Sequence, residues 1–574
     1  MRNTSLHRHE KKQLSAYFGI LLCTASLNLH ASFEEAEDFF NLSFEELLNV
    51  SIDSATKTAT NISKVPAPVT SFSRTEIASL GVRYLHELLE YVPGYQVKRY
   101  ANYQQQYSVT ARGLSDGASS KKILFLLDGH PINDPRTGGD QNLYNYSVEH
   151  IERIEIIRGP GSAIYGSNAF TGVVNIIPRK AATRVIVGIG NELNTDIFAQ
   201  GHGEIGEFTS NIQANYIDSQ GDEFLLPDTF SSAFVATNDP FKQYSVHWSL
   251  QNENIKVAVD RRYLDSKEFY AVQRVSNKYN RSKHKVWFAS AEYKANWWAD
   301  TQSTVSVDFT DVKIQSGSQS TPVGTFSQIS EPASDEPLYG VGFLNANRIH
   351  VNLFNNTQFS EQQSLQYGLS WHKNKETKAQ GLTNFDISDI ESQTIPIRYY
   401  PNLDVPISIG SRDGQYAIGA MVQYQLTQGD WFWILGGRLD DYDEFGQQFT
   451  PRLGLTYSVN DETDVKLLYG EAFRAPDLSE VSLINGVTRA GNPGLTYEYI
   501  DTVDLIAQYT GDKLLMSFNV FYNKYHSPII EGLYQGKLSF INGEDSESYG
   551  VEAEAKLFLS NHTWLRIAAT KQFE

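Results

Sequence analysis

The residues best placed to do chemistry sit at 151–177, where Glu152, Arg153, Glu155 and Arg158 punctuate a β-branched run ahead of a glycine-rich turn. Carboxylates and guanidinium groups at strand spacing form ion pairs and hydrogen bonds, so the chemistry on offer is reversible binding. A solvated strand face is the plainer reading of each charge. Gly159, Gly161, Gly166 and Gly172 show no helix signal between the two strands they join. They suit tight turns and close backbone approach better than a phosphate cradle. The chain has no G-x-S-x-G elbow, no H-E-x-x-H helix, no G-x-G-x-x-G after a strand and no G-x-x-x-x-G-K-S/T loop. Nothing pairs two carboxylates across a cleft, and no His/Asp/Glu group has the spacing of a fixed metal site. His130, directly after Asp128-Gly129, reads as a turn residue rather than a ligand. The expectation is a binding protein, not an enzyme, with no cofactor.

The elements that position these residues follow from composition. The 574 residues include 32 Tyr, 31 Phe and 8 Trp but three Met, a balance that favours strands. Mean hydropathy is −0.37, and past the N-terminus no run approaches the roughly 18 apolar residues of a membrane-spanning helix. A helical membrane protein is excluded; a transmembrane barrel is not, because its strands show lipid only every second side chain. Arg2, Arg8, Lys11 and Lys12 precede an apolar core over 14–27 and the cleavage site Leu29-His30-Ala31, so 1–31 reads as an export signal. Cys23, the one cysteine, lies inside it, leaving the exported chain without disulfides or thiolate metal sites. Formal charge is −19, and removing the signal's four basic residues and one acid leaves −22. Nucleic acid is argued against, since phosphate neutralisation needs clustered Lys and Arg. An acidic surface can also concentrate cationic ligands, though simple solvation is the commoner reason for such a charge.

Ser43 and Glu46 have capping-box spacing, which predicts a short helix, and 51–63 reads as a flexible polar link. Over 65–180 the pattern predicts a strand at 66–72, a helix at 75–81 closed by Gly81, and an amphipathic helix at 85–92 broken by Pro93-Gly94. A strand at 122–127 then runs into the turn Asp128-Gly129, ahead of the charged strand. From Arg184 onward long two-faced strands take over. Val305, Val307 and Phe309 alternate with polar neighbours; so do Tyr416, Ile418, Ala420 and Val422, and Met516, Phe518, Val520 and Tyr522. Trp297-Trp298, Trp431-Phe432-Trp433, Tyr522 with Tyr525, and Trp564 sit near strand ends, as an interfacial girdle requires.

Five motifs in order carry a resemblance: Pro66-Ala67-Pro68-Val69, Leu88-Leu89-Glu90-Tyr91-Val92-Pro93-Gly94, Ala111-Arg112-Gly113, Leu126-Leu127-Asp128-Gly129-His130-Pro131-Ile132-Asn133-Asp134, and the 151–177 stretch. Together they resemble the plug domain of TonB-dependent outer-membrane receptors of the iron-complex or siderophore type. Gly470-Glu471-Ala472-Phe473-Arg474-Ala475-Pro476 with Gly491-Asn492-Pro493-Gly494-Leu495 resembles the family's barrel signature, and Tyr549-Gly550-Val551-Glu552-Ala553-Glu554 a later strand. The resemblance implies a mainly β fold: a transmembrane antiparallel β-barrel of the 22-stranded type over 181–574, with an N-terminal α+β plug domain, 65–180, in its lumen. Residues 32–64 would then be a periplasmic segment.

It further implies a monomer in the outer-membrane lipid of a Gram-negative bacterium, importing a small-molecule ligand with energy from TonB. A ferric siderophore is the first expectation and cobalamin or another large nutrient the second; a passive surface receptor or adhesin is the reading from another class. In the family the segments holding Arg112, Glu152, Arg153, Glu155 and Arg158 face the barrel wall, and Glu471 resembles a wall partner. The segment at the TonB-box distance contains Val50, Ser51, Ile52, Asp53 and Ser54, which would add as an edge strand to TonB, an inert linker being the alternative. Tyr103, Tyr107, Tyr144 and Tyr146 either line an apical pocket for a ferric chelate or pack the plug's own loops. Haem receptors of the family carry a histidine between the two barrel signatures, and 477–491 has none, which speaks against haem.

From Arg184 to Glu574 there are 391 residues, about 18 for each of 22 strands, and alternation places only about 16 to 18 strands. The final Ala568-Ala569-Thr570-Lys571-Gln572-Phe573-Glu574 lacks a terminal aromatic, so the sequence is expected to stop short of its last strands.

Overall fold

The computed structural model describes residues 64–573 except 100–106, 115–119, 141–142, 144–145, 181–182, 192–193, 232, 272–273, 299, 411–413, 486–488 and 561–562, together with the two-residue strands Ser51–Ile52 and Thr60–Asn61. The export signal and the helix expected at Ser43 lie outside the described residues.

A five-stranded sheet organises the first unit, in the order Val69–Ser73, Ile151–Arg158, Gly172–Pro178, Ile123–Leu127, His130–Pro131. Gly172–Pro178 runs antiparallel to Ile151–Arg158 and parallel to Ile123–Leu127. All five residues of Ile123–Leu127 are buried, which explains an apolar run without polar breaks. One face packs Phe72, Ile77, Leu88, Phe125, Ile154 and Val174 into the main core. The other packs Leu126, Ile157 and Val173 against Leu468 of the large sheet, so the two units share apolar contacts.

Helix Arg74–Leu80 starts on a capping box between Ser73 and Glu76 and stops at left-handed Gly81. Leu85–Leu89 is shorter than expected. Its last turn tightens, with Tyr91 and Val92 donating to the carbonyls of Leu88 and Leu89 three residues back, as the chain approaches Pro93. Between the charged strand and Gly172–Pro178 the chain makes a one-turn helix, Ser162–Tyr165, where no helix was expected. Four residues are too few to show a 3.6-residue period.

Among the described residues the second unit is built on one antiparallel sheet of 18 strands, within the 16 to 18 that alternation places and short of 22, one of them the short Val405–Ser408, with small sheets in its long loops. Its first and last strands, Arg184–Ile189 and Thr563–Phe573, do not pair with each other among the described residues, so the sheet is open. Connections alternate in length. Short turns such as 206–207, 252–254, 361–362, 429–430 and 461–462 mark one end, while 220–240, 320–338, 384–414, 475–497 and 527–545 mark the other. That asymmetry is the pattern of an outer-membrane barrel, short turns inside and long loops outside.

The alternation expected for the strands holds. In Gln415–Gln428, Gln415, Ala417, Gly419, Met421 and Gln423 are buried while Tyr416, Ile418, Ala420 and Val422 are exposed. Leu467, Leu505 and Val520 occupy one outward row across three strands, and each is 42–51% exposed. An apolar row left bare by the fold is suited to hydrocarbon. Trp297, Trp298, Trp431, Trp433 and Tyr457 ring the short-turn end, with Trp431 and Tyr457 centroids 4.5 Å apart. Tyr525 departs from the expected girdle: it points inward and is buried beside Phe170 and Ile500, because it is three residues, an odd step, from outward Tyr522.

The outward row makes the fold testable. Leu505→Arg, assayed by urea unfolding in lipid vesicles, is expected to destabilise the folded protein by about 2–4 kcal/mol, and Leu505→Met by less than about 1.5 kcal/mol.

Candidate functional site

The two units meet along a polar seam, and its charges come from strand ends in the first unit and inward-facing positions in the second. Arg112 closes strand Tyr107–Ala111 with φ 51°, and its N–H donates to the Gly94 carbonyl at 2.7 Å. Gly94 itself has φ 76°, and a Cβ there would lie 2.6 Å from a Glu552 carboxylate oxygen, so both backbone and space demand glycine. From this turn Arg112 donates to Asp504 at 2.7 Å and to Glu552 at 3.1 Å, over the ring of Phe521. Arg158, the last residue of Ile151–Arg158, donates to the other Glu552 oxygen at 2.8 Å. Asn519 bridges Asp504 and Glu552 at 2.9 and 3.2 Å. Burial disfavours the Arg112 cation, but Asp504 and Glu552 more than offset that and hold its pKa above the ordinary guanidinium range.

A second cluster lies toward the long-loop end. Lys121 Nζ is 2.6 Å from Asp477 and 3.0 Å from Glu480, and Lys122 Nζ is 3.3 Å from Glu498. Arg474 donates to Glu480 at 2.9 and 3.0 Å and also contacts Glu498. Three cations thus face three carboxylates, all buried. Around the remaining wall Arg136 meets Glu376 at 2.6 Å, Asp128 meets Lys256, and Arg99 meets Asp239 at 2.7 Å under the rings of Phe224 and Phe269. His130 is no mere turn residue: its Nδ1 is 2.7 Å from Asp308, whose second oxygen is 2.8 Å from His350. A polar cavity of about 80 Å³ separates Asn133, Asp134 and Ser167 from Arg348, His372 and Arg438. Among the described residues no group of three or more His, Cys, Asp or Glu is placed to hold a metal.

The sequence-derived candidates sort unevenly. Arg112 and Arg158 reach the wall. Arg153 instead pairs within its own strand with buried Glu155 at 2.8 Å, and Glu152 reaches only Arg179 at 3.7 Å. Glu471 is corrected outright: in Thr463–Arg474 the even positions face inward, so Glu471 points out of the sheet and accepts from Gln448 at 2.8 Å. Of the two readings of Tyr146 the structure favours packing: it is buried in the first unit's core beside His150. Tyr107 stacks on His86 at 3.9 Å, which fits packing of the unit's own loops better than an apical pocket. Tyr103 and Tyr144 lie outside the described residues, as do Val50, Asp53 and Ser54. Ser51 and Ile52 form a two-residue strand against Asn61 and Thr60. Asp504, Glu552, Lys121 and Lys122 were missed. The signal for Glu552 was present in Tyr549–Glu554, where alternate residues had to face the lumen.

A folded unit held by buried ion pairs against the polar face of a two-sided sheet is the arrangement of a plugged outer-membrane barrel. Residues 210–572 match the family described as TonB dependent receptor-like, beta-barrel, and residues 61–173 match the TonB-dependent Receptor Plug Domain. The chain belongs to the TonB-dependent receptor family. It is 23% identical to "Vitamin B12 transporter BtuB" of Vibrio vulnificus over 80% of this chain and 67% of that protein. It is 24% identical to the protein of the same name in Photobacterium profundum, over 76% of this chain but only 63% of the relative's length. Among solved structures, the siderophore receptor PirA from Acinetobacter baumannii matches 87% of this chain and 78% of its own at a TM-score of 0.63 and 18% identity. The ferric enterobactin receptor PfeA from Pseudomonas aeruginosa matches 89% and 81% at 0.64 and 17%. These structural likenesses are likenesses of fold.

Two outcomes follow from the seam. Glu552→Ala strands two buried guanidinium groups and is expected to loosen the plug by about 3–5 kcal/mol, read as faster amide exchange at 107–114 and 151–158. For His130, burial lowers the pKa but the hydrogen bond and charge of Asp308 raise it above its ordinary value. The protonated contact is therefore complete below about pH 6.5 and is lost as pH rises through the raised value. Amide protection at 123–131 should fall over that rise, and His130→Gln should flatten the dependence.

Proposed function

We propose that this protein is an energised importer of the outer membrane, moved by TonB, whose cargo is a corrinoid of the cobalamin class. The observation that carries the cargo is the alignment of 80% of the chain with a vitamin B12 transporter. The sequence alone ranks ferric siderophores first; the likeness to a vitamin B12 transporter supports a corrinoid, while fold likeness at 17–18% identity to siderophore receptors carries no argument about ligand.

The seam supports the importer reading. The cavity of about 80 Å³ between Asp134 and Ser167 of the plug and Arg438 of the wall is far too small for such a cargo, which favours a plug that moves. Buried ion pairs suit such movement, because they are costly to break singly yet re-form with the same partners afterwards. The energy has to enter from outside the chain, which lacks a nucleotide-binding loop. Ser51–Ile52 already adopts strand geometry against Thr60–Asn61, and a strand that short can exchange its partner for TonB through backbone hydrogen bonds.

In cells lacking their own cobalamin importer, the protein is expected to restore uptake of labelled cyanocobalamin. Uptake of a ferric chelate with none of cobalamin would overturn the corrinoid reading and leave the importer standing. Deleting residues 49–55 should abolish uptake while preserving surface binding. Unchanged uptake after that deletion would sink the energised mechanism.

A further inference from the structure

The outward face of the barrel is charged in sectors. Strand pairing aligns Trp248, Val259, Ala289, Phe309 and Ile349 in one apolar outward row across Phe241–Gln251, Ile255–Lys267, Arg281–Trp298, Thr301–Gln319 and Tyr339–Ser360. Two residues nearer the long loops the aligned row reads Val246, Arg261, Trp287, Asp311, Asn347 and, on Gln363–Thr383, Lys375. Two residues further it reads Tyr244, Tyr263, Lys285, Lys313 and Asn345, with Lys283 one row above. Lys373 borders the apolar row beside Ile349. The acids on this strip, Asp218, Asp265 and Asp311, each pair with a neighbouring base, namely Lys242, Arg281 and Lys313. The strip therefore stays net positive on a chain whose formal charge is −19.

Aromatic rings are interleaved with the bases. The Arg261 guanidinium lies 4.7 Å from the Trp287 ring centroid, and Lys285 Nζ is 5.9 Å from that of Tyr263. Aromatic and basic side chains directly above an apolar band are what a headgroup layer selects. The opposite sector has the other sign. There the apolar row Leu467, Leu505, Val520, Val551 gives way to Tyr469, Val503, Tyr522 and Tyr549, and then to Glu471, Asp501, Lys524 and Glu547. Height above the apolar band alone therefore does not account for the bases.

We propose that the outward strip around Arg261, Lys283, Lys285, Lys313, Lys373 and Lys375 binds the phosphate groups of a phosphorylated lipid of the outer leaflet, seating it against one side of the barrel. The proposal rests on the family's membrane placement and not on the cargo. The strip's continuity with the apolar rows favours a lipid, whose acyl chains would cover those rows while its headgroup meets the bases. Soluble phosphate would use only the charges.

The test uses the whole protein in phosphatidylcholine nanodiscs doped with bisphosphorylated lipid A or its dephosphorylated form, with bound lipid counted by native mass spectrometry. The phosphorylated lipid should be retained and the dephosphorylated one lost. Lys283→Gln, Lys285→Gln and Lys313→Gln together should weaken retention by roughly a hundredfold. The corresponding triple Lys→Arg variant should retain it, as should Lys524→Gln in the acidic sector. If the glutamine variant fails to fold, the salt dependence of the unmodified protein decides instead, retention being expected to fall steeply as ionic strength rises. Equal retention of the two lipids, or of the glutamine variant and its parent, overturns the proposal. Displacement by millimolar inorganic phosphate assigns the strip to free phosphate and overturns the lipid.

Discussion

A strand with hydrocarbon on one side and a polar lumen on the other cannot slip by one residue without turning every charge into lipid. That constraint sorts the whole second unit. It puts Glu498, Asp504 and Glu552 inside, where the plug's cations meet them, and Leu505 and Val551 outside. It also sends Glu471 outward, although its neighbours Ala472 and Arg474 are buried on the inner face. The same parity leaves the lumen lined with polar groups that cannot all satisfy one another, and a folded plug supplies the missing partners.

How the plug is held follows from the groups it meets on the wall. Replacing buried ion pairs with apolar contacts of the same shape often makes a protein more stable, so the seam is not there for stability alone. An apolar seam would bind as tightly but would expose greasy surface on both partners each time it opened. Here apolar contacts form separate patches, Leu126, Ile157 and Val173 on Leu468, Phe170 on Ala472 and Ile500, and Tyr84 on Ile217 and Phe241, with ion pairs between plug and wall elsewhere along the seam. The balance within each cluster matters as much as its strength. Arg112 and Arg158 face Asp504 and Glu552; Lys121, Lys122 and Arg474 face Asp477, Glu480 and Glu498. Neither cluster carries a surplus charge into a site that excludes water.

Much of this was legible in the sequence, and the limits have physical causes. Alternation along 415–428 and 514–526 gave the outward faces correctly, because period two survives any detail of packing. Arg112 and Arg158 were legible through resemblance, whereas their partners lie some 390 to 440 residues away and no local pattern links them. Glu471 failed because a motif names residues without saying which way a strand faces; counting inward from buried Arg474 would have shown it. Tyr146 stayed open between pocket and packing for a related reason. A tyrosine between polar loop residues looks exposed, yet its ring completes the core that Ile151 and Val148 begin.

Total charge hides all of these arrangements. A value of −19 suggests an acidic surface facing cations, yet the seam is locally balanced and the outward strip around Lys285 is positive. What matters to a membrane protein is the charge at each depth and on each side, because lipid, lumen and loops are separate solvents. The acidic excess is therefore carried by particular places, among them the outward row of Glu471, Asp501 and Glu547.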